Sequence, residues 1–409
     1  MRTDPAPMPE SPEDLAALAA GLLGLLCVMA REQAASLGLG KIHFLTREGI
    51  VFQRYYDRFA HGAQWLEQSS LLHASRLSTF AASLASEGSR GLVRFFTPYH
   101  DANWAELRAS LNVPGRFAPL PLTVPTELRG AALARFIATQ PPLRAWIDEV
   151  ARHGHSDLAA YMSRYHPGLA SESTAVLVDI GWRGSIQDNL ALAMPETTWH
   201  GTYFGLLPFL NPQPPNGRKT GVLFPPDAAA HIGANLLPLE FLFDADIGSV
   251  TGYRDGEPVH SPHARPAAGD FVARFQAALE RLAEPMGRMF ANATTDGEAD
   301  TLKATWLHQA NAFWTASQEM SAGLFEALRE FHHDETFGIA STVRIADTLS
   351  WRFLLRSLYD FRARRLLLQY SQSLPTHLWH SPQLGWCTRS WLFLLAAAMR
   401  TRDILKGRT

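Results

Sequence analysis

The chain has 409 residues, 46% of them hydrophobic and 19% charged, the balance of a folded globular protein, which excludes a disordered chain. With 37 Lys and Arg against 39 Asp and Glu there is no overall positive field to attract nucleic acid, and no such partner is expected. Two cysteines, Cys27 and Cys387, both in apolar company, argue against a disulfide framework or a cysteine zinc site and read as core thiols in a reducing compartment.

In chain order, the proline-bearing residues 1–12 are predicted to form a loose tail. Ser11-Pro12-Glu13-Asp14 is a helix start, with a capping serine, a proline in the first turn and an acid three residues after the cap. The apolar run Leu15 to Ala30 follows acidic residues and is short for a membrane span, so it reads as a buried core helix and not a signal peptide. A cytoplasmic location is expected. Lys41 to Leu45 is strand-like, Thr46-Arg47-Glu48-Gly49 a loop, and Ile50 to Ala60 a helix with Phe52, Tyr55, Tyr56 and Phe59 at helical spacing. A second apolar run, Leu71 to Ala74, ends in Ser75-Arg76. Leu92 to Leu111 and Leu128 to Tyr165 look helical, joined by the proline-rich stretch Pro114 to Pro125, and make a helical insertion over about residues 90–166.

Val176 to Ile180 is a continuous apolar run broken only by Asp179, Gly181 to Gly184 is a turn, and Ser185 to Ala193 resumes as a helix. A helix that starts on such a turn aims free backbone N–H groups and a positive dipole end at it, which suits an anion. The turn is neither a Walker loop nor a dinucleotide fingerprint. Arg47, Arg76 and Arg183 each follow a strand-like run. If the strands are parallel, three guanidinium forks meet at one rim of a sheet, where they suit a polyphosphate. Trp199 to Leu207 is a further strand. Asn211 to Gly221, rich in Pro, Gly and Lys, reads as a mobile flap, with Arg218 and Lys219 as candidate phosphate contacts. From Ala267 onward the pattern is helical: Asp270 to Phe290, Glu298 to Phe331, Ile345 to Leu374 and Leu384 to Leu405.

The expected fold class is α/β, a Rossmann-like, mostly parallel sheet with helical insertions and a C-terminal α-helical region. The expected division is a tail (1–12), a donor-binding domain (13–262) and a helical domain (263–409). Residues 351–409 carry ten Lys and Arg against two Asp and Glu, which suits peripheral contact with an anionic membrane surface or a lipid-linked acceptor.

Taken together, Phe44-Leu-Thr-Arg-Glu-Gly49, Leu72-His-Ala-Ser-Arg76, Val178-Asp-Ile-Gly-Trp-Arg-Gly-Ser-Ile-Gln187, Leu239-Glu-Phe-Leu-Phe243 and Gly248-Ser-Val-Thr-Gly-Tyr253 resemble one bacterial family. It is the glycan phosphoribosyltransferase module of ribofuranosyltransferases that build surface polysaccharides such as O-antigen and capsule. The module is often fused to a haloacid dehalogenase-type phosphatase. The resemblance spans about residues 15–260. It implies a phosphoribosyl diphosphate donor, a glycan acceptor, release of diphosphate and later removal of the 5-phosphate. The chain departs from the family pattern at Glu48, where the family has aspartate. It also lacks an Asp-x-Asp-x-Thr/Val motif near its start, so the phosphatase is expected to be a separate protein.

Such chemistry needs a base or ion anchor, for which Asp179 is the candidate, with Glu48 as the second catalytic candidate. Arg47, Gly49, Arg76, Gly181, Arg183, Gly184, Ser185 and Gln187 are the donor-binding candidates, and Ser75, Glu240 and Tyr253 stand as further ones. Magnesium is the expected cofactor, bound largely through the donor's own oxygens, with Asp179 the one protein ligand foreseen. Two other readings stay open: a haloacid dehalogenase-type phosphatase and a nonenzymatic polysaccharide-assembly protein. A sugar-nucleotide glycosyltransferase is disfavoured because no Asp-x-Asp follows a strand.

Overall fold

The computed structural model describes residues 9–112, 120, 122–171, 173–224, 236–245, 247–262 and 269–329, with the short pieces 332–333, 343–344 and 355–356. Its elements run α1 (Pro12–Ser36), β1 (Lys41–Leu45), α2 (Gly49–Ala63), β2 (Gln68–Leu72), α3 (Arg76–Ser83), a 3-10 turn (Gly88–Leu92), α4 (Val93–Phe96), α5 (Trp104–Ser110), α6 (Gly130–Thr139), α7 (Pro141–Tyr165), α8 (Pro167–Ser171) and β3 (Thr174–Trp182). Then come α9 (Ser185–Ala193), β4 (Thr198–Leu206), β5 (Gly217–Gly221), α10 (Leu237–Leu242), β6 (Val250–Arg254), β7 (Glu257–His260), α11 (Gly269–Ala291), α12 (Asp296–Glu319), α13 (Ala322–Arg329), β8 (His332–His333) and β9 (Val343–Arg344).

Five strands form one sheet in the order β2-β1-β3-β4-β5, every neighbouring pair parallel. The expected α/β class is thus shown. Alternate residues of each strand feed two cores. On one face Ile42, Phe44, Val176, Val178, Ile180 and Phe204 pack with α1, α2, α11 and α12. On the other, Leu45, Leu72, Ala175, Leu177 and Trp199 pack with α7 and α9. A satellite cluster built on Phe80, Phe95, Leu107, Leu133 and Trp146 holds the helices between β2 and β3 together. The stretch expected as one helix over Leu92 to Leu111 is broken into short pieces, α4 and α5, with Asn103 capping α5 through a reciprocal bond with Glu106.

Helix α1 starts as its sequence predicts, the Ser11 hydroxyl accepting the Asp14 N–H at 3.1 Å. By length and composition it could cross a membrane, yet 72% of its most apolar stretch is buried inside the protein, where Leu15, Leu22 and Leu26 join the first core. A central helix covered all round by α11 and α12 must be apolar all round.

Helices α11, α12 and α13 pack onto the sheet's own core, where Phe275, Phe313 and Leu324 join Phe44 and Val178. The helix expected over Glu298 to Phe331 stops at Met320, whose φ of 43° lies in the left-handed region, and restarts as α13. The helices expected over Ile345 to Leu374 and Leu384 to Leu405, and the basic C-terminal stretch, lie outside the described residues apart from isolated positions.

The expected flap is also partly strand. Gly217–Gly221 is β5, the edge of the sheet, where one unpartnered side makes alternating apolar residues unnecessary. Asn216 secures its entry by donating to the carbonyls of Thr197 at 2.8 Å and Ala191 at 3.0 Å.

Candidate functional site

In this strand order the chain reverses direction of travel between β1 and β3. The helix after β1, α2, lies on one face of the sheet, and the helix after β3, α9, on the other. Their connecting loops therefore part, leaving a crevice at the strands' C-terminal ends, the place where open α/β sheets bind ligands. Arg47 and Glu48 form one wall, and the other is the end of β3 with the turn at Arg183-Gly184, since Gly181 and Trp182, expected in the turn, still pair with Gly205 and Leu206 of β4.

The turn has a clear steric logic. Gly181 has φ +114°, and a Cβ there would stand 2.4 Å from the Gly205 carbonyl oxygen. Gly184 has φ +59°, and a Cβ would stand 2.8 Å from both the Lys219 Cε and the Tyr203 hydroxyl. Trp182 lies in the left-handed region as well, φ 71°, and its indole N–H donates to Glu240 Oε1 at 2.9 Å. No side chain caps α9, so the first-turn amides beginning with Ser185 end without a capping partner from the turn.

The three arginines do come to this rim, with different surroundings. Arg47 contacts Glu48 Oε1 through Nη2 and Asp244 Oδ1 through Nε, each at 3.2 Å. Burial alone would lower its basicity, but Glu48, Asp244 and Glu240 outweigh that and hold it above the usual arginine range. Arg47 is thus tied into an ion cluster with Glu48 and Asp244, which engages the guanidinium expected to hold phosphate. Arg76, the first residue of α3, donates to the Tyr99 hydroxyl at 3.2 Å and lies in the field of Asp179, Glu240 and Arg183. Arg183 donates from Nε to the Pro208 carbonyl at 3.2 Å. Arg76 and Arg183 are both exposed.

Asp179 is 6% exposed. Burial, and then the negative field of Glu48, push its carboxyl up to about 8, against the Ile180 and Gly181 amides and Arg76, which favour the anion. A carboxyl poised near neutrality can take or release a proton under cellular conditions. Glu240 is likewise pushed up by burial, opposed by Arg47, the Trp182 indole and Arg76. Glu48 and Asp179 thus lie within each other's field, and Glu240 lies in the field of Arg47 and Arg76 beside them.

Several candidates are used up inside the fold. Gln187 is fully buried: its Nε2 donates to the Trp199 and Arg218 carbonyls at 2.8 and 2.9 Å, and its Oε1 accepts the Tyr203 hydroxyl at 2.6 Å. With every polar atom of the amide engaged, it knits α9 to β4 and β5 instead of reaching a donor. Ser75 caps α3 and donates to the Val250 carbonyl at 2.5 Å. Tyr253 stacks on Tyr161 with centroids 4.7 Å apart and donates to the His73 carbonyl at 2.8 Å. Both pin the loop that carries Arg76. Gly49 opens α2 against the Phe44 backbone. Arg218 bonds the Pro215 and Gly217 carbonyls, and Lys219 is internal.

Asp244 escaped the sequence reading, although it follows the apolar triplet Phe241-Leu-Phe243 and is 8% exposed. Gln276 holds that segment from α11, donating to the Leu242 and Asp244 carbonyls at 3.0 and 2.9 Å. Trp182 and Tyr99 were unassigned too. Among the described residues, no group of three or more His, Cys, Asp and Glu side chains is placed to hold a metal ion. No protein-family model matches the chain, and no curated protein matches it at a significant level.

Proposed function

We propose that the crevice binds phosphoribosyl diphosphate and that the protein transfers the 5-phosphoribosyl group to a hydroxyl of a surface-polysaccharide glycan, releasing diphosphate. The observation that carries this reading is the meeting of Arg76, Arg183 and the uncapped start of α9 beside buried Asp179 at the β1/β3 crevice. Two exposed guanidinium groups and a helix N-terminus suit a diphosphate leaving group. A carboxylate beside them suits removal of the acceptor's proton.

In this reading Arg76 and Arg183 take up negative charge as the C1–O bond to diphosphate breaks. Asp179 in its ionised form receives the acceptor hydroxyl's proton while the new glycosidic bond forms. Glu48 raises the proton affinity of Asp179, and Arg47 holds the Glu48 carboxylate in place. Glu240, held by Trp182, fixes the turn. Magnesium, if bound, would be held chiefly through donor oxygens with Asp179 or Glu48 as protein ligands, and would add charge compensation on the diphosphate. The acceptor would be lipid-linked, the 5-phosphate would be removed by a separate phosphatase, and the protein would work in the cytoplasm at the inner face of the membrane.

The deciding experiment is a donor panel. Phosphoribosyl diphosphate and several sugar nucleotides are each offered with a synthetic acceptor, and products are weighed by mass spectrometry. A gain of one phosphopentose with release of diphosphate supports the reading. Transfer from a sugar nucleotide refutes it. Phosphate release from a phosphoribosyl glycan points to the phosphatase, and an inert protein to an assembly factor.

A further inference from the structure

Lys219 is a lysine with no part in the chemistry above, and its surroundings are unusual for a residue of an edge strand. Its side chain is only 4% exposed. Its Nζ meets three oxygens: Asp188 Oδ1 at 2.6 Å, Gln213 Oε1 at 2.7 Å and the Arg183 carbonyl at 3.0 Å. Those match the three hydrogens of an ammonium group one for one. The same Nζ lies 4.7 Å from the centre of the Phe209 ring, a cation–π contact. The aliphatic stem runs against the backbone of Gly184, where any Cβ would strike its Cε.

One buried charge thus joins four separate parts: β5, the turn after β3, the first turn of α9 and the connector 207–216. Arg183 adds a second tie between turn and connector through the Pro208 carbonyl. Burial weakens both partners' charges, lowering Lys219 and raising Asp188, and each is supported by the other. Such a pair holds geometry more than it adds stability.

We propose that Lys219 is a positioning residue: its ammonium group fixes the Arg183 carbonyl, so that the Arg183 side chain and the leading amides of α9 stay aimed into the crevice. The proposal rests on the crevice being an anion site, but the clamp itself can be tested without that. A fixed turn binds its anion without ordering it first, so loosening the turn weakens donor binding more than it slows chemistry.

The test compares wild type, Lys219→Met, which keeps the stem and removes the charge, and Asp188→Asn, which removes only the anionic partner. Hydrogen exchange is followed by mass spectrometry, and steady-state kinetics with phosphoribosyl diphosphate are measured on the same preparations. In Lys219→Met, amides of residues 183–188 and of Phe209, Leu210, Asn211 and Gln213 should exchange about tenfold faster or more, with the rest of the described sheet unchanged, as expected for loss of charge-assisted hydrogen bonds. KM for the donor should rise about tenfold with kcat changed far less, and Asp188→Asn should show the same pattern more weakly. Unchanged exchange in those two segments overturns the proposal, as does an equal fall in kcat with KM unaltered. If Lys219→Met loosens the whole protein, local loosening in Asp188→Asn supports the clamp and its absence overturns it. Faster local exchange in a protein whose wild type ignores the donor keeps the clamp and refutes the donor reading instead.

Discussion

Arg47 and Asp244 meet at 3.2 Å across the mouth of the crevice, one from the exit of β1 and the other just past the end of α10. Glu48 shares the same guanidinium, so a single cation holds two carboxylates from distant parts of the chain. Without it, the Glu48 and Asp244 carboxylates would lose the cation that lies between them.

Asp244→Ala should therefore destabilise the protein by about 2 kcal/mol, less than the loss of the sole partner of a buried ion pair because Glu48 still faces Arg47. The check is a urea titration: the midpoint should fall while the slope stays the same. Asp244→Asn, which keeps a hydrogen-bond acceptor, should lose less.

Asp179→Asn should keep the fold and lose at least about a hundredfold in the proposed transfer, the usual weight of a positioned base. Its effect on stability has a definite sign. Between the unfolded value near 4 and the folded value of about 8, the native Asp179 holds a proton that the unfolded one has released. Its contribution is fully present below about pH 4 and is lost as pH rises toward about 8. The asparagine has no proton to lose. Relative to wild type, Asp179→Asn should gain stability steadily from about pH 4 to about pH 8, and a flat difference across that range would contradict the burial of Asp179.

His43 and His166 behave in the opposite sense. Their rings meet edge to face at 5.3 Å, and His43 bonds Ser70 at 2.7 Å while His166 bonds the Tyr161 hydroxyl at 3.1 Å. Burial, with like charge from neighbours including Lys41, pushes His43 down to about 3 and His166 down to about 4. Their contribution is present above the unfolded value near 6.5 and is lost as pH falls toward those folded values. Wild type should lose stability steeply between about pH 6.5 and pH 4. His166→Gln should make that decline shallower by about one proton's worth, measured as the pH slope of the unfolding free energy.

Gly181→Ala should cost about 3 kcal/mol or more, or prevent folding altogether. It adds a methyl 2.4 Å from the Gly205 carbonyl at a φ of +114°, combining overpacking with backbone strain. Gly38→Ala, at φ +69° with nothing near the added carbon, is the control: it should lose only about 1 kcal/mol, read as the difference between two thermal melts.

The strand-loop-helix units were legible because their signals are local. Lys41–Leu45 and Ser185–Ala193 run between the residues that their apolar pattern and flanking glycine mark. What each polar residue does was less legible, because it depends on partners distant in sequence. Tyr253 looks like a site residue until Tyr161 and His73 surround it, and Gln187 does until β4 and β5 close over it. Asp244 was missed for the same reason: nothing near it in sequence announces that Arg47 waits on the far side of the crevice. The stop at Met320 had no glycine or proline to mark it, and β5 lacked the alternation that marks a strand.

The crevice is assembled from chain segments near residues 47, 76, 183 and 244, and each is braced by something outside itself: Asp244, Tyr253, Lys219 and Gln276. No excised stretch of the polypeptide, even one bearing the whole glycine turn, would carry the site with it. Complementation by co-expressed halves should work only for breaks that leave both members of every brace free to find each other.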